Sequence, residues 1–78
     1  MNGTLYFYNA TMPQQGVLGT ATMLNGRFVS FTGTTAQTMV ETKRKETAFY
    51  GIAATDENVW NLLKNWNNGF LFCTTEPR

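Results

Sequence analysis

Histidine is absent from this chain of 78 residues, serine occurs once as Ser30, and cysteine occurs once as Cys73. The missing histidine removes the commonest general base and the commonest metal ligand. A lone cysteine forbids a disulfide within the chain, and without histidine it cannot complete the usual ligand set of a structural zinc. Charge is also scarce: six Lys and Arg stand against five Asp and Glu, a formal net charge of +1. So even a balance provides no general attraction to nucleic acid or to a membrane surface. No apolar run approaches the length that spans a bilayer, and the opening residues Met1-Asn2-Gly3-Thr4 lack the basic and apolar regions of a secretory signal. A cytoplasmic location is the default expectation, and on it the acceptor patterns Asn2-Gly3-Thr4 and Asn9-Ala10-Thr11 read as coincidence.

The few reactive groups do not assemble into a catalytic set. Ser30 sits inside a strand-like run with no base near it in sequence. Cys73 lies in Phe70-Leu71-Phe72-Cys73, an apolar setting that suits a buried small side chain rather than a nucleophile. Asp56 and Glu57 are adjacent at the start of a helical pattern, where they suit the helix dipole better than paired acid and base work. The glycines are scattered, and none has phosphate-loop spacing. The expectation is a protein that is not an enzyme and takes no cofactor and no metal.

What is present points to β structure with one helix. Thr and Asn are abundant, and they favour strands and turns respectively. Thr4 to Ala10 alternates, with Leu5 and Phe7 on one face and Tyr6 and Tyr8 on the other. Asn25-Gly26 between Val17–Leu24 and Arg27–Thr32 predicts a hairpin with a type I′ turn. Its two-residue loop sets Leu24 opposite Arg27, Met23 opposite Phe28, Thr22 opposite Val29 and Thr20 opposite Phe31. Gly33 to Gln37 reads as a connection. Thr38 to Thr42 and Thr47 to Ala54 read as two further strands around a basic turn at Lys43-Arg44-Lys45-Glu46. A helix is expected from Asp56 to Asn67, with Thr55 as N-cap and Val59, Leu62, Leu63 and Trp66 as its apolar stripe. Phe70 to Thr75 reads as a last strand, placed beside the first, and Glu76-Pro77-Arg78 as a tail. The fold class expected is α+β: a mainly antiparallel, twisted sheet of five to six strands with one helix on one face, in the order β-β-β-β-β-α-β, as a single domain over residues 1–78.

Two features remain for function. Lys43, Arg44 and Lys45 together can meet an acidic protein surface or phosphates. Eleven aromatic residues are many for so small a core; Tyr6 and Tyr8 on one strand face, and Trp60 on the shoulder of the helix stripe, are the candidates for exposure. The first reading is a small non-catalytic protein-binding module, a stoichiometric inhibitor of a larger protein partner. Small phage proteins that block host defence, anti-CRISPR proteins among them, are comparable in size and in want of catalytic groups, although no motif is shared. The second reading is a nucleic-acid-binding module in which Tyr6, Tyr8 and Phe28 stack bases while the basic turn meets the backbone. The third is a structural subunit that self-assembles, so a homo-oligomer is left open while a membrane partner is not expected.

Overall fold

In a computed structural model, which describes residues 1–77, the Asn-Gly signal forms the predicted hairpin. Strands β2 (Val17–Leu24) and β3 (Arg27–Thr32) flank a turn in which Asn25 has φ 53° and Gly26 φ 79°. Positive φ at both positions is what a type I′ turn demands. Leu24 pairs with Arg27 and Met23 with Phe28, as expected. The register then shifts, so Thr22 pairs with Ser30 and Thr20 with Thr32, not with Val29 and Phe31. The extra residue is a β-bulge at Val29. Its consequence is packing: Phe28 and Phe31, three residues apart, both turn to the core side and stack with centroids 6.0 Å apart.

Strand β1 (Gly3–Asn9) pairs antiparallel with β2 on one side and with β4 (Leu71–Thr74) on the other. The sheet order is β3-β2-β1-β4, and the last strand does lie beside the first. Leu5, Phe7, Ala21, Met23 and Cys73 form the buried side of the sheet. The other side carries Tyr6, Tyr8 and a row of threonines. There the Thr20 and Thr32 hydroxyls lie 2.7 Å apart and those of Thr4 and Thr22 3.4 Å apart. A single 3₁₀ turn at Pro13–Gln15 joins β1 to β2.

The main departure from expectation lies between β3 and β4. Residues Thr34–Phe49 form one helix, α1, where two strands and a basic turn were predicted. The threonines suggested strands, yet Ala36, Met39, Val40, Lys43 and Thr47 recur at helical spacing and face inward. The stripe is disguised because two of its members are polar. Thr47 is buried, but its hydroxyl donates to the Lys43 carbonyl at 2.6 Å, so no polar group is orphaned. Lys43 lays its ammonium over the Trp66 ring, 5.6 Å from the centroid, and pairs with Glu46 one turn on at 2.9 Å. The sheet therefore has four strands, not five to six, and two helices cover it, in the order β-β-β-α-α-β.

Helix α2 (Asp56–Leu63) begins where expected, with the Thr55 hydroxyl accepting from the Asn58 amide at 3.1 Å. It stops four residues earlier than predicted. The asparagine side chains offer the backbone another set of partners: Asn67 Oδ1 accepts from the Gly69 amide, and Asn68 Oδ1 accepts from Phe70 and Leu71. The chain thus folds back along β4, where the Cys73 amide donates to the Trp66 carbonyl. The buried stripe of α2 is Val59, Trp60 and Leu63, while Leu62 is half exposed. The helix is rotated towards Trp60 because Gly3 leaves room for its ring. A Cβ on Gly3 would lie 2.8 Å from Trp60 Cη2. Gly19 on β2 likewise allows a close approach of β3 and α1, since a Cβ there would meet the Thr32 carbonyl oxygen at 2.6 Å and the Ala36 Cβ at 3.3 Å.

Candidate functional site

The end of α1 sets the geometry of the most distinctive surface. Tyr50 closes the helix, and Gly51 follows in the left-handed region at φ 77°. The Gly51 amide donates to the Ala48 carbonyl and the Ile52 amide to that of Thr47. This pair of bonds is a Schellman motif, which reverses the chain and brings the residue after the glycine back against the helix. Ile52 is thereby set beside Tyr50. Across from them stand Leu62 and Trp66 from α2 and the turn after it. Together with Lys43 and Glu46 they line an apolar cleft of about 310 Å³.

The rim of this cleft is unusually apolar for a surface. Phe49 is 82% exposed and Tyr50 75%, and their rings meet edge to face at 5.3 Å. Ile52 and Leu62 are about half exposed. Burying these groups against another molecule removes apolar area from water, and among the described residues none covers them. Lys45 is exposed one helical turn before Phe49, on the same side of α1.

The predicted site residues separate across the fold. Tyr6 is half-buried on the sheet face away from the helices. Tyr8 is buried and stacks on Phe72 with centroids 5.2 Å apart, so it offers no free ring. Trp60, expected at the surface, is 7% exposed and packs near Phe28 in the core. Phe28 points to the helix side of the sheet, so Tyr6, Tyr8 and Phe28 do not form one stacking platform. Lys43, Arg44 and Lys45 stand on helical turns and therefore diverge instead of clustering. Lys43 is at the cleft wall. Arg44 is committed inward: its Nη1 donates to Asp56 Oδ1 at 2.6 Å, while Asp56 Oδ2 accepts the Phe28 amide of edge strand β3 at 2.9 Å. Burial pushes the Asp56 carboxyl up, but the Phe28 amide, Arg44 and Arg27 together hold it below its ordinary value. Asp56 is thus a structural tie between β3, α1 and α2.

Phe49, Tyr50 and Phe70 are the exposed aromatics that sequence reasoning passed over. As neighbours on the strand expected over residues 47–54, Phe49 and Tyr50 would lie on opposite faces. The signal that could have found them is the glycine followed by an apolar residue, Gly51-Ile52, which marks a helix end. Ser30 is exposed on β3 opposite Thr22. Cys73 is buried, and burial pushes its thiol up to about 12. Among the described residues no group of three or more His, Cys, Asp or Glu is placed to hold a metal ion, and no helix is long and apolar enough to cross a membrane. No protein-family model, curated protein or solved structure matches the chain.

Proposed function

We propose that this protein is a small, non-catalytic protein-binding module that acts by occupying a surface of a larger protein, as a stoichiometric inhibitor does. The contact surface in this reading is the patch at the end of α1. The observation that carries it is the pair Phe49 and Tyr50, both largely exposed, with Tyr50 lining an apolar cleft and Phe49 packed edge to face against it. Large aromatic side chains lose little entropy when they are buried in an interface, and they are over-represented among residues that dominate binding energy. Lys45 beside them supplies a charge that steers an acidic partner without being buried. Inhibition of a host defence enzyme is one form such a role takes, and only the small size of the chain speaks for it.

The test begins with affinity purification from the native host, followed by binding kinetics with the purified partner. Phe49→Ala and Tyr50→Ala should speed dissociation by about tenfold or more, the behaviour of desolvated anchors. Lys45→Glu should slow association at low salt and little at high salt. Folded variants that keep full affinity would show that binding occurs elsewhere. A steep linear fall of log affinity with log salt, with nucleic acid as the ligand, would replace this reading with the nucleic-acid one.

A further inference from the structure

The same patch has the shape that a twofold dimer requires, and we infer that it closes on a second copy of this chain when no larger partner is bound. The inference rests on reading the patch as a protein-binding surface. A twofold interface brings one surface against itself, so a protruding group and the hollow that receives it must both lie on that surface. Phe49 is the protruding group. The cleft between Tyr50, Ile52, Leu62 and Trp66 is the hollow, one residue away along the chain. Phe49 does not line its own cleft, because successive residues diverge by about 100° around the helix end; its ring instead packs edge to face with Tyr50, 5.3 Å between centroids. The volume suffices: an apolar cavity of roughly 150 Å³ accepts a benzene molecule, and this cleft is about 310 Å³.

Area and charge agree with weak, reversible association. Aromatic side chains present roughly 150–250 Å² each. At the exposures of Phe49 and Tyr50, two copies would bury about 500–800 Å² through these rings alone. Ile52, Leu62 and the lysine stems raise the total towards about 1,200 Å², the lower limit of stable specific interfaces. A net charge of +1 leaves no long-range repulsion between copies. A core this small also stands to gain from a second layer of apolar contact.

The test is sedimentation equilibrium of the purified chain from about 1 µM to about 1 mM, the range where weak interfaces titrate. The weight-average mass should rise from 8.8 kDa towards twice that value. Phe49→Ala removes the protrusion and Leu62→Trp fills the hollow; each alone should stay at 8.8 kDa over the same range. Mixed in equal amounts, the two variants restore one of the two contacts and should associate more than either alone. Phe49 is exposed, so its loss leaves folding intact, which circular dichroism checks. A wild-type chain that stays monomeric throughout overturns the inference, as does association that both variants retain or a mixture that gains nothing. If the chain is monomeric yet Phe49→Ala releases a purified partner, this inference fails and the proposed function stands. If the dimer forms and Phe49→Ala still binds that partner fully, the proposed function fails and the dimer stands.

Discussion

Replacing Asp56 tests the tie that holds both helices to the edge of the sheet. In Asp56→Ala the Phe28 amide loses its acceptor in a part-buried position, which costs about 1–3 kcal/mol. The Arg44 pair lies at a half-open site, and its loss adds at most about 1 kcal/mol after solvent screening. The first turn of α2 also loses one negative charge at the positive end of its dipole, about 0.3–1 kcal/mol. The sum is about 1–5 kcal/mol, a large share of the stability of so small a domain. Asp56→Asn keeps an oxygen for the Phe28 amide and should cost about 0.3–2 kcal/mol, since only the charge terms go. Urea unfolding at pH 7 measures both. The pH dependence then separates charge from shape. A carboxyl held below its unfolded value of about 3.9 contributes stability that is fully present above that pH and is lost as pH falls through the lower folded value. The gap between wild type and Asp56→Asn should therefore be flat from about pH 5 to 8 and should close below about pH 4. Equal stability of Asp56→Ala at pH 7, or a gap that persists unchanged into strong acid, would refute the reasoning.

Leu63→Ala empties a fully buried position between α2 and the sheet and should cost about 2–5 kcal/mol, read as a fall in urea midpoint at unchanged slope. Gly26→Val should destabilise by about 1 kcal/mol or more, because a β-branched residue resists φ 79° and its Cβ would also press on Glu57 Oε1 at 2.8 Å; an unchanged melting temperature would contradict the turn type. Cys73 should resist a thiol reagent in the folded protein at pH 8 and react within the dead time in urea, since burial withholds both access and thiolate. Prompt stoichiometric labelling of the native chain would show that β4 opens.

The sequence was enough to read β1, the hairpin, the N-cap of α2 and the pairing of the last strand with the first. The first three rest on strong short-range rules, alternation, positive φ at Asn-Gly and a hydroxyl before a helix, whereas the strand pairing joins residues far apart in the chain. Composition alone also showed that the chain has no histidine and that its single cysteine cannot form a disulfide within it. Helix α1 was not legible, since its inward stripe includes Lys43 and Thr47, which become acceptable inside only through Trp66, Glu46 and the Lys43 carbonyl. The bulge at Val29 was hidden for a similar reason, as nothing near it in the chain says that Phe28 and Phe31 must share a face. The exposure of aromatics followed from neither periodicity nor count. Trp60 is buried because Gly3, 57 positions earlier, leaves it space. Phe49 and Tyr50 are exposed because a Schellman turn ends α1 beyond the edge of the core. Sequence patterns report what a residue does to its neighbours along the chain, whereas burial depends on which distant surface arrives to cover it.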